Sequence, residues 1–390
     1  MIDYPNDLNI IFDKLEKNGI MPIIVGGFVR DQIFHEFYTK EAYTAKDIDI
    51  ELYNAPSFEK IQNILLEFGN PNIIGKSFGV IKLNYHNLDI DFSLPRSENK
   101  IKAGHKGFEI KTHSKIDYKL ASLRRDFTMN SIGYDVLNKK ILDPYNGLND
   151  IKNRTLRFIN KNTFMQDPLR VLRAMQFCAR FDLVGDVDLI DTCRSMCQMD
   201  LLNELAKERI YEEFKKLFLK AINPSVGLIF LKKIDGFVFF NELNFSLKEW
   251  DNTLKLLDNM DRSTLKDDHN MLIMLAILCY KMDKPSQISF INKLTNKKNM
   301  LKSIYSLYHV ESFLHHQNPL SCDIVKTINF TLLNVYLKSK NFTHTTIEKI
   351  KKIKPLVQGE DLIKIGMKPS KEFKVILQMV YEVQINKIFN

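Results

Sequence analysis

The sequence predicts an α+β protein in which an amino-terminal domain with one mixed sheet precedes an all-helical remainder. Between Ile20 and about Ile141, short runs of β-branched or alternating apolar residues are separated by stretches with helical spacing. After the turn-forming cluster Asp-Pro-Tyr-Asn-Gly at 143–147, the periodicity becomes helical almost throughout. A chain of 390 residues is long enough for two or more domains.

Five segments carry the strand prediction, namely MPIIVGG, DIDIEL, GVIKLNY, LDIDFSL and KKILD. A helix is predicted between the second and third of them, over 57–67. From Asn162 onward, apolar residues recur three to five positions apart with charges between them, as in the set Leu201, Leu205, Ile210, Phe214, Leu217 and Phe218. We expect these amphipathic faces to pack on other helices.

Composition is that of a globular protein, with 45% hydrophobic and 26% charged residues. The longest apolar stretch, from Met271 to Tyr280, is about half of what a membrane span needs, and the polar amino terminus lacks signal-peptide features. Five cysteines without a C-x-x-C pair suit a reducing compartment and are expected to be buried thiols rather than metal ligands. We expect a soluble, cytoplasmic protein with no membrane partner.

The net charge of +9 is concentrated at the carboxyl end. Residues 1–290 hold 40 basic and 40 acidic side chains, whereas residues 291–390 hold 16 Lys, no Arg and 7 acidic side chains. A lysine-rich region suits contact with nucleic-acid phosphates, which positions the ligand without reading its sequence. A solvated helical surface remains the alternative.

A glycine pair follows the first predicted strand, in Val-Gly-Gly-Phe-Val-Arg-Asp at 25–31. A strand that runs through Gly26 and Gly27 into a helix exposes backbone N–H groups to which a triphosphate can come close. Arg30 adds a cation. A tight turn with no ligand is the alternative.

Acidic residues alternate with isoleucines in the second predicted strand. Strand periodicity places Asp47 and Asp49 on one face and turns the isoleucines between them into the core. Two carboxylates this close suit Mg²⁺ bound together with substrate phosphates, although an exposed polar strand face gives the same pattern. A similar alternation offers Asp89 or Asp91 as a third carboxylate.

Two further segments concentrate arginines and carboxylates. Arg-Arg-Asp-Phe-Thr-Met-Asn at 124–130 suits bidentate contact with phosphate or ribose, or else an ion-paired helix start. In the segment 166–176, Pro168 is expected at the first helical position with Asp167 as N-cap. Asp167 with Arg170 presents an acceptor and donors that match the edges of cytosine and adenine, and a salt-bridged helix start is again the alternative.

Taken together and in this order, GGFVRD, DID, RRDFTMN and DPLRVLRA resemble the class II tRNA nucleotidyltransferase and bacterial poly(A) polymerase family. The similarity continues through DPYNGLNDI and closes in GEDLIKIGMKPSKEF at 359–373. The resemblance implies a polymerase-β-like nucleotidyltransferase head at 1–150, a helical neck for base recognition at 151–222, and a body and basic tail for tRNA binding at 223–390. Its metal ligands and catalytic residues fall on Asp47 and Asp49. Its nucleotide-binding residues fall on Gly26, Gly27, Arg30, Arg125, Asp126, Asp167, Arg170 and Arg173.

Three features depart from the family pattern. The base-reading motif begins with Gln166 where Glu is usual, and Gln176 stands where a further Arg is common. Where some relatives carry the His-Asp pair of a phosphohydrolase domain, this chain has Tyr280 and Lys281, so we expect that hydrolase activity to be absent.

The resemblance implies Mg²⁺-dependent addition of CMP and AMP, from CTP and ATP, to the 3′ end of tRNA. A poly(A) polymerase and a partial enzyme that adds only CC or only A are alternatives within the class, and a catalytically silent RNA-binding protein is an alternative outside it. The segment from Arg96 through Lys119, with Gly104 and Gly107, is the candidate for the flexible loop of full CCA-adding enzymes.

Overall fold

The computed structural model describes residues 2–39, 47–74, 79–100, 108–112, 115–316, 320–342 and 354–389. The chain forms two compact units, one of Met1–Ala206 with Ile229–Phe239 and the other of Lys207–Leu228 with Phe240–Asn390. The division into head, neck, and body with tail at residues 150 and 222 stays a prediction.

A seven-stranded sheet organises the first unit. Its order is β3–β4–β5–β2–β1–β8–β9, with β2 parallel to β5 and antiparallel to β1, so the predicted mixed sheet is confirmed. The described strands are β1 Met21–Val25, β2 Asp47–Tyr53, β3 Asn72–Ile74, β4 Val80–Tyr85, β5 Leu88–Ser93, β6 Arg96–Lys100, β7 Phe108–Thr112, β8 Gly133–Asp135, β9 Lys140–Leu142, β10 Thr155–Leu156 and β11 Val184–Gly185.

The alternation in β2 has the expected effect on burial. Ile48 and Ile50 are 1% and 0% exposed, whereas Asp47 and Asp49 are exposed on the opposite face. From Ile50 onward every residue of β2 is buried, because the strand passes into the centre of the sheet. The acidic end of β2 is therefore the accessible end.

The segment from Arg96 through Lys119 contains secondary structure. β6 pairs antiparallel with β7, so these residues are strands rather than loop. Residues 101–107 and 113–114, which include Gly104 and Gly107, lie outside the described residues.

Helices make up most of the rest of the described chain, as predicted. They are α1 Leu8–Lys17, α2 Gly27–Phe34, α3 Phe58–Leu65, α4 Tyr118–Ser122, α5 Gly147–Lys152, α6 Lys161–Met165, α7 Leu169–Phe181, α8 Val187–Gln198, α9 Lys207–Lys220, α10 Pro224–Lys233, α11 Leu247–Asp258, α12 Asp267–Cys279, α13 Lys284–Leu294, α14 Lys298–His316, α15 Cys322–Thr327, α16 Phe330–Ser339, α17 Gly359–Lys364 and α18 Lys371–Phe389.

The core of the second unit explains the longest apolar stretch of the sequence. It lies in α12, which is buried from Ile273 to Cys279. A cluster of aromatic rings adds to this core, with the Phe214 and Phe240 ring centres 5.3 Å apart. In the described part of the chain, no helix has the length and apolar character needed to cross a membrane. Cys178, Cys193, Cys197 and Cys279 are buried free thiols.

Candidate active site

The turn between β1 and α2 brings the backbone against a carboxylate. Gly26 has φ +73°, and a Cβ at this position would lie 3.1 Å from Asp49 Oδ2. Both the backbone conformation and the close approach require glycine. The strand, glycine turn and helix expected from the sequence are present, and α2 begins at Gly27.

Four carboxylates stand side by side on two parallel strands. The register of β2 on β5 pairs Asp47 with Asp89, and Asp49 with Asp91. Neighbouring protein atoms remove part of the water around the Asp49 carboxyl, and this desolvation, together with the Asp91 charge, raises the pKa of Asp49. The strand ends therefore concentrate negative charge at the Gly26 turn.

The two carboxylates on β5, Asp89 and Asp91, each interact with a protein side chain. Lys82 Nζ lies 3.1 Å from Asp91 Oδ2, and Asn84 Nδ2 donates to Asp89 Oδ1 at 2.9 Å. Within the described residues, no group of three or more His, Cys, Asp or Glu side chains has the arrangement of a metal site. Asp47 and Asp49 fit a divalent ion that takes its other ligands from substrate phosphates and water, since such ions favour oxygen ligands and often keep several waters.

Arg30 is held in place from several sides although it is only 6% exposed. Its Nε donates to Asp31 Oδ1 at 2.6 Å, and its Nη1 donates to Asn130 Oδ1 at 2.7 Å. The guanidinium also lies 5.1 Å from the Phe177 ring centre and 4.9 Å from that of Phe181. Arg30 is thus a preorganised cation on α2, one turn after the glycines.

Arg125 and Asp126 bind mainly to other protein groups. Arg125 Nη1 donates to the Asn130 carbonyl at 2.7 Å, and its Nη2 donates to Glu51 Oε1 at 2.9 Å. Asp126 Oδ2 accepts from Arg173 Nε at 2.5 Å. Burial raises the pKa of Asp126, but Arg173 and Arg170 together lower it below its usual value. A direct nucleotide contact by Arg125 or Asp126 stays a prediction; in the structure Asp126 holds Arg173, and Arg125 is held by Glu51 and Asn130.

The start of α7 carries the candidate base-reading residues. Arg170 Nη1 donates to the Thr163 carbonyl at 2.9 Å, and its Nη2 donates to the Arg124 carbonyl at 2.6 Å. The helix begins at Leu169, one residue later than expected, with Pro168 rather than Asp167 as N-cap. Asp167 nevertheless accepts a hydrogen bond from the Leu169 N–H at 3.2 Å.

The two glutamines that depart from the family pattern lie in different surroundings. Gln166 is partly exposed beside Asp167. Gln176 is 1% exposed, and its Oε1 has no hydrogen-bond partner among the described residues. The position where an arginine is common therefore holds a buried, incompletely bonded amide.

Three further residues belong to the hydrogen-bond network around the arginines, and the sequence alone indicated no role for them. Glu51 binds two arginines, Asn130 binds Arg30, and Arg180 Nη2 donates to Asp31 Oδ2 at 2.6 Å. Glu51 lies two residues after Asp49, just as Asp49 lies two residues after Asp47. This period-two pattern could have identified Glu51 from the sequence.

Comparison with known proteins agrees with this arrangement. Residues 23–157 match the family model described as the poly(A) polymerase head domain. A CCA-adding enzyme of Blochmanniella floridana is 29% identical over 335 residues, which cover 78% of this chain and 77% of that protein. A CCA-adding enzyme of Actinobacillus succinogenes is 32% identical over 251 residues, covering 61% of this chain and 58% of that protein.

A solved structure extends the likeness to nearly the whole fold. The Thermotoga maritima CCA-adding enzyme complexed with tRNA has a TM-score of 0.71 and 20% identity to this chain, with 99% of this chain and 93% of that one covered. At this identity the likeness concerns the fold, while the head-domain match and the curated relatives concern the family. The head-domain match and these relatives support the class II tRNA nucleotidyltransferase and poly(A) polymerase family that the four motifs resemble.

Proposed function

We propose that this protein adds CMP and AMP, from CTP and ATP, to the 3′ end of tRNA and so builds the CCA terminus. The observation that carries the proposal is the packing of the Gly26 turn against Asp49, with Asp47 on the same strand face and Arg30 on the helix that follows. This arrangement joins a phosphate-binding turn to a pair of metal-binding carboxylates. Relatives with the same head are CCA-adding enzymes.

Nucleotidyltransferases of this family depend on a divalent metal ion, and we propose Mg²⁺ held by Asp47 and Asp49. Held there, the ion would supply Lewis-acid chemistry, favouring ionisation of the 3′-hydroxyl and balancing negative charge at the α-phosphate. The protein's own residues hold the triphosphate. The turn at Gly26 and Gly27 offers backbone N–H groups at the start of α2, and Arg30 offers a fixed cation.

Base selection is assigned to Asp167 and Arg170, with Arg173 beside them on the next helical turn. A carboxylate accepts from the exocyclic amine that cytosine and adenine share, and a guanidinium donates to the ring acceptors of the same edge. Uracil and guanine lack that pattern. Asp126 accepts from Arg173 and from Asn130, and the Arg124 carbonyl accepts from Arg170, which limits the movement of both arginines when a nucleotide enters.

We further propose that the body and basic tail hold the tRNA by its phosphates, and that the protein works in the cytoplasm. The support for tRNA binding is the 16 lysines against 7 acidic residues within 291–390. Lysine suits this role because its ammonium is a point charge that contacts phosphate without requiring a fixed orientation.

The proposal is tested by incubating the purified protein with three tRNAs: one that lacks CCA, one that ends in C, and one that ends in CC. Each reaction contains CTP and ATP, one of which is labelled. A full CCA-adding enzyme adds two CMP and one AMP to the first and then stops. A CC-adding enzyme extends the first two tRNAs with CMP but not the third, an A-adding enzyme extends only the third, and a poly(A) polymerase continues beyond one AMP. Binding of tRNA without any incorporation would identify a silent RNA-binding protein and overturn the proposal.

A further inference from the structure

Glu51 is a buried carboxylate two residues beyond Asp49 on β2. It is 1% exposed, and it accepts hydrogen bonds from Arg124 Nη2 at 2.8 Å and Arg125 Nη2 at 2.9 Å. Tyr53 donates its hydroxyl to the other carboxylate oxygen at 2.9 Å. The two guanidiniums thus lie within ion-pair distance of one buried carboxylate oxygen. A buried carboxylate is tolerated only when it is paired in this way.

One branch of hydrogen bonds runs from Glu51 to the base-reading helix. Arg124 binds Glu51 through its side chain, and its backbone carbonyl accepts from Arg170 Nη2 at 2.6 Å. Arg124 therefore connects the two residues, since its side chain binds Glu51 and its carbonyl orients Arg170. The bond to Glu51 tethers the Arg124 side chain and so limits movement of the backbone segment whose carbonyl accepts from Arg170.

A second branch of hydrogen bonds runs from Glu51 to Arg30 and Arg173. Arg125 binds the Asn130 carbonyl, and the Asn130 side chain binds both Arg30 and Asp126. Asp126 in turn pairs with Arg173 at 2.5 Å. Glu51 is thus connected through Arg124 to Arg170, and through Arg125 and Asn130 to Arg30 and Asp126.

We propose that Glu51 is a positioning residue for nucleotide selection, which fixes Arg170 through Arg124 so that CTP and ATP are chosen over UTP and GTP. This inference rests on the proposed function. Glu51 itself is enclosed by protein and does not reach a nucleotide, so its effect on selection passes through the arginines. A carboxylate suits this role because it accepts from both guanidiniums and balances part of their charge; the Arg125 side chain is 10% exposed and that of Arg124 is 21% exposed.

The Glu51→Gln variant keeps the shape of the side chain and removes its charge. We expect the ratio of kcat/KM for CTP to that for UTP, with the same tRNA, to fall by about tenfold, the size of effect expected for weakening one charge-assisted hydrogen bond. Binding of tRNA should stay within about twofold, because the change lies in the nucleotide network. Tyr53→Phe is the matched control, since it removes one hydrogen bond to Glu51 but leaves both arginine pairs, and its selectivity should equal that of the wild type.

A double-mutant cycle with Arg124→Gln separates positioning from a general loss of structure. If Glu51 acts through Arg124, the selectivity loss of the double variant should match that of either single variant rather than their product. Glu51→Asp, which keeps the charge, should recover part of the selectivity and covers the case in which Glu51→Gln does not fold.

Three results would overturn the inference: wild-type selectivity in Glu51→Gln, an equal loss of selectivity in Tyr53→Phe, or independent effects of the two changes in the cycle. Failure of the wild-type protein to incorporate CTP would instead overturn the proposed function.

Discussion

Gly26 and Asp49 pack against each other, so that a Cβ on residue 26 would approach Asp49 Oδ2 to 3.1 Å. The contact joins the turn before α2 to the carboxylate on β2, and it leaves little space for any side chain at the turn. The two residues are far apart in the sequence, yet antiparallel pairing of Val25 with Asp49 brings them together.

Gly26→Ala should therefore reduce nucleotide incorporation by at least about tenfold, because the added methyl group displaces the Asp49 carboxylate. Gly19→Ala is a matched control, since Gly19 has φ +71° and its Cβ would meet nothing within 4 Å. Both variants should lose about 1–3 kcal/mol of unfolding free energy from backbone strain. Only Gly26→Ala should lose activity, and equal activity in the two variants would show that the contact is unimportant.

Asp47→Asn and Asp49→Asn should each lower incorporation by about a hundredfold or more, because each removes one charged ligand of the proposed metal ion. Affinity for tRNA, measured by fluorescence anisotropy, should remain nearly unchanged, since tRNA is expected to be held mainly elsewhere. Asp89→Asn serves as the control on the adjacent strand, where Asp89 binds Asn84. Incorporation within about tenfold of the wild type in either metal-ligand variant would exclude that residue as a ligand.

The sequence predicted those parts of the site that are determined by residues close together in the chain. The glycine turn and the period-two alternation of Asp47 and Asp49 follow from backbone conformation and strand geometry, which adjacent residues determine. The alternation on β5 offered Asp89 or Asp91 as a third carboxylate; the pairing of β2 with β5 places both beside the first pair, and a metal-binding role for either stays a prediction.

The network behind the site was not predicted, because its pairs are distant in the sequence. Arg30 and Asn130 are 100 residues apart, and Asp31 and Arg180 are 149 residues apart. Tertiary packing alone decides which buried arginine meets which carboxylate or amide. Residue types therefore predicted a polar cluster, while its partners required the fold.

The hydrolase activity of some relatives is expected to be absent. Tyr280 and Lys281 stand where the metal-binding pair would be, and Lys340 Nζ lies 3.2 Å from the centre of the Tyr280 ring. Neither phenol nor ammonium is a suitable ligand for such an ion at neutral pH. Assays with a phosphomonoester and a 2′,3′-cyclic nucleotide should show no activity with Mg²⁺, Mn²⁺ or Ni²⁺. A metal-dependent activity that persists in Asp47→Asn and co-purifies with the chain would contradict this prediction.

The basic tail is expected to bind tRNA with a strong dependence on salt. Lys354 is described by the structure, whereas Lys349, Lys351 and Lys352 lie outside the described residues. Replacing all four with Gln should weaken tRNA binding and reduce the slope of log K against log[salt] by roughly 0.7–0.9 for each phosphate that is no longer neutralised. The choice of CTP and ATP should not change, because base selection is assigned to the first unit.

A second variant controls for the change in net charge. In this variant four exposed lysines of the first unit are changed to Gln, namely Lys17, Lys60, Lys139 and Lys140. Its affinity should fall less than that of the tail variant. If the two variants behave alike, the tail lysines form a solvated surface and the tRNA path lies elsewhere.

Lys340 should make the stability of the second unit depend on pH. Its Nζ lies 3.6 Å from Glu311 Oε1, within a cluster that includes Tyr280 and Tyr336. Burial lowers the pKa of Lys340 from its ordinary value of 10.5 to about 8, and the Glu311 charge offsets only part of that effect. Between these two pH values the unfolded chain binds more protons at this residue than the folded chain does. The contribution of Lys340 to the unfolding free energy therefore rises with pH across this window.

Urea unfolding of the wild type and Lys340→Met, at about pH 7.5 and about pH 9.5, isolates this contribution, because the other titrating groups are common to both proteins. The unfolding free energy of the wild type minus that of the variant should increase between the two conditions, by on the order of 1–2 kcal/mol. Lys338→Met, at a nearby exposed position, should show no such increase. A difference that stays constant or decreases with pH would mean that Lys340 keeps its proton throughout, and that Glu311 fully compensates for its burial.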